Sequence, residues 1–172
     1  MTLPSEVRLA WRRVPEGVAR RAVSRALLVE LLPGAEFLSR CPACGGDHGR
    51  IRAVGVDAAV SVSYAAGWAF VVTTPLHRRI GLDAVPAGAD GLDRVLPRGD
   101  ARAWARVEAV LKADGRGLTV DPARVRVADA SVPGSDWGAW IDDGATMVGW
   151  DVAGPTGVMV AVAADVGAAP LQ

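Results

Sequence analysis

Apolar and polar positions along this 172-residue chain follow two periods. Between 16 and 32, Val18, Ala22, Leu27, Leu28 and Leu31 recur at helical spacing, with Arg20, Arg21 and Arg25 partly on the solvent side. Pro15-Glu16 opens this expected helix and Pro33-Gly34 closes it. A second helix is expected after Asp100, a natural N-cap, ending at Asp114-Gly115. Elsewhere the pattern favours strands: 60–64 and 68–73 flanking Ala65-Ala66-Gly67, then 79–85, 118–120, 125–127, 137–141, 148–152 and 158–163. Turns are expected at 54–57, at 131–136, at Asp142-Asp143-Gly144 and at Gly154-Pro155. Residues 86–100, rich in Gly, Pro and Asp, predict a loop with one helical turn at 92–96.

Composition narrows the setting. With 51% hydrophobic residues the chain can bury a core of its own, so a single domain over 1–172 is expected. The formal net charge is zero, with both signs mixed throughout, and no nucleic-acid footprint is evident. Residues 58–76 carry no charge and are about long enough to span a bilayer. The interruptions at Ser61, Ser63, Gly67, Thr73 and Thr74 point to paired strands, so no membrane association is expected. The first fourteen residues hold no apolar leader, and the two cysteines lie close in sequence, which fits a reducing, cytoplasmic setting.

Three features carry candidate chemistry. Lys112 is the only lysine among abundant arginines, and an ammonium is a compact point charge where guanidinium is a wide fork. Trp104, Glu108 and Lys112 stand four residues apart, so a helix places them on one side; Glu108 and Lys112 fit either a surface ion pair or a site. Asp83, among Ile80, Leu82 and Val85, needs a partner or a cation unless it caps a turn. Cys41, Cys44 and His48 offer three zinc ligands, with His77 as a candidate fourth. There is no P-loop, no Gly-x-Gly-x-x-Gly after a strand and no Gly-x-Ser-x-Gly.

In order, the chain offers Ser24-Arg25-Ala26-Leu27-Leu28, then Cys41-Pro42-Ala43-Cys44-Gly45-Gly46-Asp47-His48-Gly49-Arg50 and Ser61-Val62-Ser63-Tyr64-Ala65. Gly81-Leu82-Asp83-Ala84-Val85 and the run from Trp104 to Ala113 follow. These segments together resemble the surfactin-type 4'-phosphopantetheinyl transferases over most of the chain. The resemblance implies an α+β fold of two pseudo-symmetric halves, about 1–75 and 76–172, each a helix packed on a small antiparallel sheet. It implies a monomer that transfers the 4'-phosphopantetheine arm of coenzyme A to a serine of an acyl or peptidyl carrier protein, as in secondary metabolism. By the same resemblance Asp83 and Glu108 hold Mg²⁺, Glu108 and Lys112 are catalytic, and Arg25, Arg50, Ser63, Tyr64 and Lys112 contact coenzyme A.

The chain departs from that pattern at several points. Val85 stands where the family has a second carboxylate, Tyr64 replaces a phosphate-contacting histidine, Val107 replaces a lysine and Ile51 a proline. The loop between Asp83 and Glu108 is short, and the family's N-terminal strand is expected to be missing. The Tyr64 replacement implies weaker coenzyme A binding, or a different thiol donor. The departures leave two alternatives: a catalytically inactive coenzyme A- or carrier-binding protein of the same fold, and a zinc-loop interaction module.

Overall fold

The structure, a computed structural model, describes residues 3–41, 44–94, 96, 100–130, 132–142 and 146–166. Among them are two α-helices and three antiparallel sheets, an α+β arrangement. Strands β1 (Arg8–Arg13), β4 (Ala59–Ala65) and β5 (Trp68–Thr74) form one sheet in the order β1-β5-β4. Helix α1 (Arg20–Leu31) follows β1, and a short ribbon pairs β2 (Glu36–Leu38) with β3 (Arg52–Val54). The larger sheet combines β6 (Ile80–Pro86), β7 (Val125–Asp129), β8 (Trp137–Ile141), β9 (Met147–Val152) and β10 (Val158–Asp165) in the order β6-β10-β9-β8-β7. Helix α2 (Ala101–Asp114) lies across it.

Burial explains the layering. On the outer face of the three-stranded sheet, Leu27 and Leu28 of α1 meet Val60 and Val71. On its inner face Phe70 and Val72 meet Leu82, Ala84, Val160 and Val162 of the larger sheet. The far face of that sheet presents Val85, Ala161 and Ala163 to Val107, Val110 and Leu111 of α2. The order is therefore helix, sheet, sheet, helix. Strict alternation along β6 sends Leu82 and Ala84 towards the small sheet, and Gly81, Asp83 and Val85 towards α2. Helix and strand meet very closely at Gly81, where a Cβ would lie 1.9 Å from the carbonyl oxygen of Ala109.

The two sheets are joined at their open edges by serine hydroxyls. Ser61 Oγ accepts from the Leu82 amide at 3.1 Å, and Ser63 Oγ from the Ala84 amide at 3.2 Å. The i, i+2 spacing of the serines matches that of the amides, so β4 side chains satisfy edge donors of β6 that no strand covers.

Several sequence expectations need correction. The N-terminal strand is present: β1 pairs with β5 from Arg8↔Thr73 to Arg13↔Trp68. Helix α1 starts four residues after Glu16, because residues 15–18 close a turn with the Val18 amide on Pro15 O at 3.2 Å. Val18 is consequently exposed, and so is Ala22, while Val23 and Ser24 are buried instead. Residues 118–120, expected as strand, overlap instead a 3-10 turn, Gly117–Thr119, in which the Thr119 amide and hydroxyl both donate to Arg116 O. The uncharged run 58–76 is largely the β4-β5 hairpin, and no described helix is long and apolar enough to cross a membrane. Ser131 and Asp143-Gly144, within expected turns, lie outside the described residues, as does part of the loop between Asp83 and Glu108.

Candidate functional site

Helix α2 is well framed for carrying chemistry. Asp100 accepts from the Ala103 amide at 2.8 Å, and Gly115, at φ 89°, turns the chain out of the helix. Trp104, Glu108 and Lys112 therefore share the rising face expected from their spacing, and Lys112 reaches β6 and β4.

Its ammonium explains why this position is lysine. Nζ donates to Asp83 Oδ1 at 2.6 Å, Leu82 O at 3.1 Å and Ser63 Oγ at 3.3 Å, three acceptors for three N–H groups. A planar guanidinium does not match three convergent acceptors around one centre. Asp83, 7% exposed, also accepts from Ser63 Oγ at 2.9 Å. Glu108 is partly buried on the same helix face. Burial first and the charge of Asp83 second raise its pKa, and Lys112 only partly opposes them. The surface ion pair is thus replaced by a Lys112–Asp83 pair between helix and sheet, with Glu108 as a second carboxylate nearby.

Beside this cluster a cavity of about 600 Å³ opens between α1, β4 and the end of α2. Arg20, Arg21, Arg25, Arg50, Lys112 and Arg116 line it; no carboxylate is among the described lining residues, although Asp47, Asp83 and Asp114 pair with Arg21, Lys112 and Arg116 from outside it. Such a concentration of positive charge in a concave site favours an anionic ligand. Arg25 Nη2 donates to Ser39 Oγ at 2.7 Å, while Arg25 Nη1 is buried without a hydrogen-bond partner. Leaving that donor unpaired is costly, so Arg25 keeps unused hydrogen-bonding capacity beside the cavity. Arg50 is steered by the C-terminal end of α2, donating to Ala113 O at 3.4 Å. Desolvation and the neighbouring Arg52 and Arg79 charges lower its pKa, an instability that an anion relieves.

Four of the five residues assigned to coenzyme A by resemblance, Arg25, Arg50, Tyr64 and Lys112, line this cavity. Ser63 does not; it lies behind the cavity wall, bonded to Asp83 and Lys112. The Tyr64 hydroxyl shares a 2.7 Å hydrogen bond with Ser24, and the Arg20 guanidinium stacks 4.7 Å from its ring centroid. Sequence reasoning had left Arg20, Arg21 and Arg116 outside the site. Only the cluster of arginines at the start of α1 and after Gly115 hinted at them.

His77 is not part of the cysteine cluster. Its Nδ1 lies 2.7 Å from Asp165 O, and its ring meets the edge of Trp150, at the end of β10. The expectation of His77 as a fourth zinc ligand is therefore wrong, because its ring is anchored to that strand. Val85 is 6% exposed in the α2 core and offers no ligand atom.

No protein-family model matches the chain, and no curated protein matches it.

Proposed function

We propose that the chain belongs to the class of enzymes and binding proteins that hold a polyphosphorylated small molecule in a cationic cavity. Within that class our reading is a 4'-phosphopantetheinyl transferase, an enzyme using coenzyme A to modify a carrier-protein serine. The observation carrying it is the cationic cavity whose lining residue Lys112 is ion-paired with Asp83, with Glu108 one turn earlier on the same helix. The motif order along the chain and the paired helix-on-sheet layers agree with that family's two-halved fold.

Asp83 and Glu108 present hard oxygen donors to one another, and the charge of each is unfavourable to the other, so the pair fits Mg²⁺. Asp83 and Glu108 would hold the ion, which would supply neutralisation of the charge that develops as the phosphoanhydride opens. Arg25, Arg50 and Arg116 bind and orient the phosphates of coenzyme A, and Lys112 faces the same cavity as a point charge. To contact phosphate, Lys112 gives up one of its three internal acceptors. The carrier serine oxygen forms a bond to the β-phosphorus while the bond to the departing 3',5'-ADP breaks. The serine proton passes to Glu108.

Val85 favours a second reading, a protein of the same fold that binds coenzyme A without transferring the arm, because the second carboxylate of the family's strand is replaced by a core side chain. Incubation with Mg²⁺, coenzyme A and apo carrier proteins separates the two. A carrier mass increase of one phosphopantetheine, lost in Glu108→Gln, supports transfer. Coenzyme A binding without any mass increase across carriers supports the second reading.

A further inference from the structure

The loop joining β2 and β3 supplies Arg50 to the cavity, but three of its other residues take no part in the chemistry above. It carries Cys41, Cys44 and His48, whose ligand atoms all lie within 4.8 Å of one another. We propose that these three residues form a zinc site with one open coordination position, which pins the segment presenting His48 and Arg50 to the cavity.

The ligand types select the metal. Two thiolates and an imidazole suit zinc, whereas Mg²⁺ takes oxygen donors, so this site is chemically distinct from Asp83 and Glu108. Zinc–sulfur and zinc–nitrogen bonds of about 2.3 and 2.0 Å in a tetrahedron place ligand atoms about 3.5 Å apart. Cys44 Sγ and His48 Nε2 lie 2.8 Å apart, so they need only a small separation to admit the ion.

The backbone is folded around the same atoms. The Cys41 amide donates to Gly46 O at 2.7 Å and the Gly45 amide to Cys41 O at 2.8 Å. The Gly46 amide donates to Cys44 Sγ at 3.4 Å, so the backbone wraps around that sulfur. Gly45 holds φ 71°, in the region glycine tolerates without strain, so the turn after the second cysteine is built for its course. The Gly49 amide closes the loop onto Ser39 O at 2.6 Å.

The other nearby groups are committed elsewhere. Asp47 accepts from Ser39 Oγ and from Arg21 at 3.2 Å, and His77 is anchored at Asp165. Among the described residues three protein ligands gather here, which leaves the fourth position to water. His48 itself lines the cavity, so the site sits beside it. On binding, each cysteine releases its proton to solvent and His48 coordinates as neutral imidazole.

The test uses the full chain, purified under reductant, stripped with chelator and titrated with Co²⁺ as a spectroscopic probe. The expected result is one Co²⁺ per chain with thiolate-to-cobalt charge-transfer absorption, displaced by one equivalent of Zn²⁺, and a higher melting temperature with Zn²⁺. Cys44→Ser and His48→Ala, both at exposed positions, should lose tight binding while keeping the wild-type circular dichroism. Absence of the charge-transfer band in reduced wild type overturns the proposal, as does a band that persists in the Cys41→Ser/Cys44→Ser double variant. A Cys41–Cys44 disulfide that survives reductant also overturns it. The readout involves no coenzyme A, so it stands apart from the transferase reading.

Discussion

Gly81→Ala tests whether the helix bearing Glu108 and Lys112 is positioned by its close approach to β6. The added Cβ would lie 1.9 Å from Ala109 O and 2.5 Å from Ala113 N, both backbone atoms of α2 that no rotamer change can move. Real Cβ contacts essentially never fall below 3.0 Å, so the helix must retreat by roughly 1 Å. A gap of about 1 Å forfeits up to about half of each dispersion contact. The contacts at stake belong to Val107, Val110 and Leu111, none more than 3% exposed. Overpacking costs typically about 1–3 kcal/mol, and a backbone clash under a buried helix belongs at the upper end, about 3 kcal/mol. For a chain of this size that corresponds to a melting temperature about 6–12 °C lower. Urea denaturation gives the free energy, with Gly88→Ala as the control, since nothing lies within 4 Å of its added Cβ. A Gly81→Ala protein within about 0.5 kcal/mol of wild type refutes the reasoning, because surface-like substitutions fall in that range.

Three further outcomes follow from the same geometry. Ser61→Ala with Ser63→Ala leaves the Leu82 and Ala84 amides without their acceptors, and should cost about 1–3 kcal/mol per amide in urea denaturation; additive losses near zero would refute the serine junction. Ala66 sits at φ 49° in the hairpin turn with Gly67 at 77°, so Ala66→Gly should raise stability by about 1 kcal/mol in thermal melts, and a destabilised variant would contradict this. Burial alone would raise the Asp151 pKa, but Arg106 and Arg102 outweigh it and leave the pKa lowered. Its stabilisation is therefore present above the unfolded value of about 3.9 and lost as pH falls through the lower folded value. Asp151→Asn should flatten the acid side of a urea-midpoint profile, and an unchanged profile would count against the pairing.

Legibility in the sequence tracked how local each signal was. Asp100 and Asp114-Gly115 bound α2 through contacts within one turn, and the β4-β5 hairpin follows from alternation around Ala66-Gly67, so both were readable. Strand β1 was missed because Arg8, Arg12 and Arg13 dominate an edge strand exposed along much of its length. Strands β2 and β3 have three residues each, too few for a period to show. Within the site, Lys112 stood out by its rarity, yet its partners lie 29 residues away at Asp83 and 49 away at Ser63. Only the packing of α2 on β6, allowed by Gly81, brings them together. The serines of β4 were readable as strand residues; their role in joining two sheets depends on where β6 leaves its edge open.

The central claim is that the arginine-lined cavity holds coenzyme A through its phosphates, and calorimetric titration tests it most directly. With Mg²⁺ present, coenzyme A should bind one per chain, with affinity falling as salt rises and falling further in Arg25→Ala. Pantetheine, which lacks the phosphates, should give no comparable heat. Equal binding of pantetheine and coenzyme A, or no coenzyme A binding by folded wild-type protein at low salt, would contradict the account.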